Sequence, residues 1–350
     1  MSADGAPSSE QMQFARWLVD PLKETRDKAI AALKGYLGGL KADLEEIEML
    51  KLWKALYFCV WLSDKTPIQN ELSATLCTMI HVFKKESMAL LYMKSCLAII
   101  MMHWTQLDQH RVHKFYAFIR FFMREMFVYC QHRAWHADTS RTLMDLVHSE
   151  LLQKKPNGPR LHVADIFLEE LFKVVDGEET IGGSARSSSS KGSKNGKTKG
   201  GSSGSVLTEK KLMIFFDIFL KVLCLEQDSS YYDRVLKRVF LQYIEDYDDV
   251  HAGRGCRVSL QLLQKRVFDL ASADGDGGGI SDQNRKKMYD LHKMFASATK
   301  SSFIDHENDD GGGTANPTLK VSSETVTDNG DGKKRKKGGD VDKKSSKKSR

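Results

Sequence analysis

Residues 51–67 read KLWKALYFCVWLSDKTP. From Leu52 to Leu62 the single charge is Lys54, and Trp53 and Trp61 stand eight residues apart, in a chain that is 28% charged overall. Such a run can cross a membrane, line a ligand site or pack. A spanning helix needs about 20 predominantly apolar residues, whereas this run is bounded by Lys51 and Asp64. The other apolar segment, Met88–Trp104, is interrupted by Lys94 and carries His103 at its end. Neither is expected to span a membrane, and no convergent polar groups mark a small-molecule site in the first. A helix apolar nearly all round is expected to lie buried between neighbouring helices. Trp53, Tyr57, Val60 and Trp61 fit one buried face, and Leu52, Leu56 and Cys59 a second, so both tryptophans should be mostly buried.

Outward from this run, apolar residues recur at helical spacing almost without a break. Phe14, Trp17 and Leu18 form one stripe, and Ile30, Leu33 and Leu37 another that stops at Gly38 and Gly39, where a helix C-terminus is expected. Asp43 with Glu46 resembles a capping box for the helix of the opening run. Thr66 before Pro67 reads as an N-cap with proline at the first helical position. Asp108 and Asp138 are further N-cap candidates. None of the six prolines interrupts a periodic segment, and no stretch alternates as a strand would.

Helix starts near residues 21, 43, 66, 86 and 108 give a step of roughly 22, hence a helical hairpin every forty-odd residues, the length of a HEAT or armadillo repeat. Later helices fit residues 139–153, 161–175, 206–225, 229–249, 257–272 and 281–298. The expected fold is all-α, a solenoid-like array of helical hairpins. Its parts are a leader over 1–9, a first helical part over 10–178, a Ser/Gly/Lys-rich flexible linker over 179–205, a second helical part over 206–298 and a disordered basic tail over 299–350.

The net charge of +7 is unevenly spread. Lys333–Arg350 carries +8 and Gly182–Ser205 carries +5, which leaves −6 and predicts a mildly acidic body bearing two cationic segments. The six cysteines sit singly in apolar surroundings with no CxxC pair, as reduced buried thiols do.

Patterns that imitate active sites fail on context. The tripeptide GKT at Gly196–Thr198 lies in the linker and has Lys191 where a phosphate-binding loop needs its first glycine. Asp274–Asp282 has the spacing of a calcium loop, yet Arg285 occupies the position of its bidentate glutamate. His132 and His136 have zinc-pair spacing, but Cys130 projects from a different face. The acidic groups Glu45, Glu46, Glu48 and Glu245, Asp246, Asp248, Asp249 read as solvated helix ends rather than converging metal ligands. No catalytic residue, metal, cofactor or small-molecule substrate is expected. The remaining chemistry is in the tail: Lys333, Lys334, Arg335, Lys336, Lys337, Lys343, Lys344, Lys347, Lys348 and Arg350 suit nuclear targeting and phosphate contact. Without aromatic residues there, RNA binding through the tail should be sequence-tolerant and salt-sensitive.

Four segments, FARWLVDPLKETRDKAIAAL, KLWKALYFCVWLSDKTPIQNELS, RVHKFYAFIRFFMREMF and RLHVADIFLEEL, resemble in order and spacing the nucleolar ribosomal RNA processing protein 1 family over about residues 11–250. The most specific signature is Trp53, Cys59, Trp61, Ser63, Asp64 and Lys65. Thr66 before Pro67 departs from the family pattern, the linker resembles an insertion, and the tail is short beside those of some relatives. The resemblance implies a non-catalytic nucleolar assembly factor of the large ribosomal subunit, working in the nucleus with pre-rRNA and other assembly factors. Two rival classes are a nuclear helical-repeat adaptor without RNA contact and an RNA-processing enzyme. RNA binding that persists without residues 332–350 would count against the first, and the second requires a buried carboxylate or histidine cluster.

Overall fold

In a computed structural model of the chain, residues 9–177, 207–273 and 280–307 are described. Leader, linker and most of the tail, with the basic residues 333–350, lie outside these residues, as does most of Asp274–Asp282. The helices are α1 (Ser9–Leu18), α2 (Lys23–Gly38), α3 (Glu46–Leu62), α4 (Thr66–Thr78), α5 (Glu86–His103), α6 (Gln109–His132), α7 (Ala137–Val147), α8 (Asn157–Val175), α9 (Glu209–Leu225), α10 (Ser229–Val235), α11 (Gln242–Glu245), α12 (Leu260–Ser272) and α13 (Asp282–Glu307). There is no strand among the described residues. Two π-helical stretches were not legible in the periodicity: His148–Leu152 continues α7, and Leu236–Leu241 joins α10 to α11.

Alternate helices stack in two layers. In one, α3 packs on α5, α5 on α7 and its π-helical extension, and α7 on α9; in the other, α4 packs on α6, α6 on α8, and α8 on α10. Helices within a layer run parallel. Lys94 reaches Glu46 at 2.8 Å near the start of α3, while the Tyr57 and His103 rings lie 5.2 Å apart near the ends of α3 and α5. Likewise His162 Nε2 donates to the Tyr116 carbonyl at 2.9 Å and, further along, Gln131 Nε2 donates to the Val174 carbonyl at 2.8 Å. Parallel neighbours joined through an antiparallel partner are what a step of one hairpin produces, and the chain is an all-α helical-repeat array as expected.

Local chemistry sets most of the boundaries. Gly39 caps α2, its N–H donating to the Gly35 and Tyr36 carbonyls. Asp108 accepts from the His110 and Arg111 N–H groups at the start of α6, and Thr208, Asp228 and Ser259 do the same for α9, α10 and α12. Three expected caps are displaced. The capping box of α3 is Glu45 with Glu48, while Asp43 instead takes Lys85 Nζ at 2.8 Å. Lys65, not Thr66, is the N-cap of α4, and His136 rather than Asp138 is that of α7. At the second residue of α8 the indole of Trp104 comes so close that a Cβ on Gly158 would lie 2.6 Å from its Nε1.

The core between the layers is aromatic. Trp53, only 2% exposed, meets Tyr92 at 4.6 Å, Phe122 at 5.9 Å and Phe118 at 6.1 Å between ring centroids. Further along the array Phe167 meets Phe127 at 5.0 Å and Phe219 at 4.8 Å. Each such side chain contributes about 1.5–3 kcal/mol by leaving water. All six cysteines are free thiols, and burial pushes Cys59 up to about 11 and Cys130 up to about 12. Buried charge is paired: Arg160 bonds Glu226 and the Leu152 carbonyl and lies over the Tyr231 ring, tying α8 to the end of α9.

Two expectations change. The segment Glu86–Gln106 is long and apolar enough by itself to cross a membrane, so length does not exclude it; 67% of its apolar 18-residue window is buried inside the array, which makes it a packing helix. Nor is the helical body acidic. Residues 9–177, 207–273 and 280–298 hold 36 Lys and Arg against 32 Asp and Glu, and the acidity sits in 299–332, with seven acidic and two basic residues.

Candidate interaction surface

The signature run divides between core and surface. Helix α3 buries Met49, Trp53, Leu56, Tyr57, Cys59 and Val60, so Trp53 and Cys59 are packing residues. Trp61 is only half-buried, a departure from its expected burial: it lies at the end of α3, beside Tyr57 at 5.9 Å, with the Arg111 guanidinium 4.9 Å from its ring. Ser63 is buried and its Oγ donates to the Val60 carbonyl at 2.7 Å, ending the helix. Lys114 of α6 reaches over this end, its Nζ donating to the Ser63 carbonyl at 2.7 Å and to that of Trp61, and burial lowers its pKa. Asp64 and Lys65 are exposed. The structure therefore brings Trp61, Ser63, Lys114 and Arg111 together at one edge, while Trp53 and Cys59 lie inside.

Reading α3 as buried all round missed one stripe. Lys51, Lys54, Phe58 and Leu62 are exposed. Their spacing of three, four and four residues places them on one face, a signal present in the sequence but masked by the apolar character of Phe58 and Leu62. On α5, Met102 is exposed at the same level, one residue before His103, whose ring is 6.1 Å from that of Phe58.

Other sequence candidates do not assemble. His132 meets His81, ring centroids 5.0 Å apart, and His81 bonds Glu125 at 2.9 Å; no group of three metal-ligating side chains occurs among the described residues. Desolvation lowers the pKa of His132, and the neighbouring His81 adds to the shift. Glu45 and Glu48 are spent on the capping box and Glu46 on Lys94. Asp246 accepts from Gln242 Nε2 at 3.1 Å in the turn after α11. An open cavity of about 680 Å³ beside Trp135, Val175 and Leu207 contains the Arg254–Asp176 pair, and one of about 600 Å³ contains Arg160 and Glu226. In both, the charges satisfy each other.

Comparison with known proteins identifies the family. The family description "Nucleolar protein, Nop52" matches residues 9–302, nearly the whole helical array. Ribosomal RNA processing protein 1 homolog A of Homo sapiens is 31% identical over 175 residues, covering 47% of this chain and 37% of that protein. The Dictyostelium discoideum homolog is 30% identical over 190 residues, covering 48% and 38%. The Caenorhabditis elegans homolog is 20% identical over 304 residues, covering 84% and 69%. Against the mammalian relatives the chain spans between 23% and 44% of their length. With a family match that runs from α1 into α13, this chain belongs to the Nop52 family of nucleolar proteins, the family of the ribosomal RNA processing protein 1 homologs.

Proposed function

We propose that the chain is a non-catalytic nucleolar assembly factor of the large ribosomal subunit, a scaffold whose helical array docks other assembly factors and folded pre-rRNA. The observation that carries this reading is the family match over residues 9–302 laid on an array of stacked hairpins. Such an array offers long side-chain surfaces, while the functional groups gathered inside it are consumed in caps, ion pairs and packing. The tail residues Lys333–Lys337, Lys343, Lys344, Lys347, Lys348 and Arg350 add sequence-tolerant phosphate affinity and nuclear targeting.

Depletion of the protein tests the reading. Large-subunit rRNA precursors are expected to accumulate, with loss of large subunits; normal processing with normal large-subunit levels would sink it. Deleting residues 332–350 should weaken RNA association most at low salt and flatten its salt dependence, because tail contacts are those that release counterions.

A further inference from the structure

The geometry points to the solvent face of α3 and α5 as a docking site for one class of partner: an acidic amphipathic helix of another protein, laid along the two helices. This rests on the scaffold reading above and names one of its surfaces.

Helices α3 and α5 run parallel, and the Tyr57 and His103 rings, 5.2 Å apart, hold their ends at one level. At that level Phe58 is 36% exposed, Leu62 53% and Met102 62%. Trp61 and Ala98, each half-buried, extend the apolar strip on the two helices. The core does not require these side chains, because α3 already buries six residues on its other faces. Exposed apolar side chains grouped on adjacent helices, rather than scattered singly, mark a protein contact.

The strip has cations at its α3 start. Lys51 and Lys54 continue the α3 stripe there, and neither forms an ion pair among the described residues. At the far end the charges balance: Lys65 is exposed beside Asp64, and Arg111, which lies against Trp61, pairs with Asp108. An apolar seam with one basic end is complementary to a helix carrying apolar anchors at three- and four-residue spacing and carboxylates towards one end. Nucleic acid fits less well: Leu62, Met102 and Ala98 cannot stack on bases, which would leave only Phe58 and Trp61 as platforms. Self-association would offer Lys51 and Lys54 a second strip of the same kind, without the row of carboxylates that complements them.

Photo-crosslinking residues at positions 62 and 102 of the full chain, in cells, test the inference. Particle association is followed by gradient sedimentation of the same cells, and crosslinks are read in whichever fraction holds the chain. The expected result is a protein adduct at both positions, mapping to an apolar-anchored acidic helix. Its yield should fall about tenfold on Lys51→Glu with Lys54→Glu, and on Phe58→Ser. Crosslinks mainly to RNA or to a second copy of the chain, no adduct above that from exposed Thr105, or a yield indifferent to charge reversal would each overturn it. If the chain stays in large particles while any of these is seen, only the docking site falls; if it is absent from them, the scaffold reading falls as well.

Discussion

Trp53 and Leu62 are nine residues apart on one helix and do opposite work. Trp53 is enclosed by Tyr92, Phe118 and Phe122, so Trp53→Ala should cost about 3–5 kcal/mol in equilibrium unfolding. Leu62, more than half exposed, should tolerate serine with a change within about 0.5 kcal/mol. Equal effects would mean that the signature has been divided wrongly between core and surface. Histidines carry a second prediction. Desolvation lowers the pKa of His148, His162 and His251 below the ordinary 6.5, so the unfolded chain binds protons that the folded chain refuses. Stability attributable to them is complete above the unfolded value and declines as the pH falls through it towards the folded values. Denaturant midpoints at pH 7.5 and 5.5 should show the loss; a flat profile would contradict it. At this scale the sequence is only partly legible. Asp43, Asp138 and Thr66 are all good cap residues, yet Glu45 completes the box of α3, while α7 and α4 begin after His136 and Lys65 without a side-chain cap, one or two residues from the expected starts.

Between elements, the packing of α6 on α8 includes a charged centre. Glu170 is 1% exposed and accepts from Arg120 at 2.6 Å and from Lys173 at 3.1 Å, with Arg124 at 3.9 Å. Its neighbour Glu169 makes similar bonds to Arg120 and Lys173 but from the solvent side. Removing one partner from a buried pair strands the others, so Glu170→Ala should destabilise by about 3–5 kcal/mol. Glu169→Ala should cost at most about 1 kcal/mol, as exposed pairs do. Thermal unfolding of the two variants separates these cases, and similar losses would contradict the assigned difference in burial. The helices themselves were well anticipated: starts near 21, 43, 66, 86 and 108 correspond to Lys23, Glu46, Thr66, Glu86 and Gln109. That step is legible because every helix must bury a stripe against its neighbours in both layers. The π-helical turns at His148–Leu152 and Leu236–Leu241 are not, since one extra residue per turn leaves the apolar pattern locally helical.

Across the whole molecule, composition misplaced the charge and periodicity missed a surface. Counting the chain outside the two basic segments as one acidic body hid the concentration of carboxylates in 299–332. The stripe from Lys51 to Leu62 was hidden for a different reason: apolar residues on a solvated face are indistinguishable by type from core residues until the neighbouring helices are in place. What the proposed function asks of the array is therefore surface, with Phe58, Leu62 and Met102 beside lysines as the inferred docking site. On the proposed function, this surface works inside large-subunit precursor particles. Affinity purification of the full chain at low salt, with quantification of the co-purified rRNA precursors, puts that to the test. Enrichment of large-subunit precursors over small-subunit precursors is the predicted result; recovery of neither, or of both equally, would contradict it.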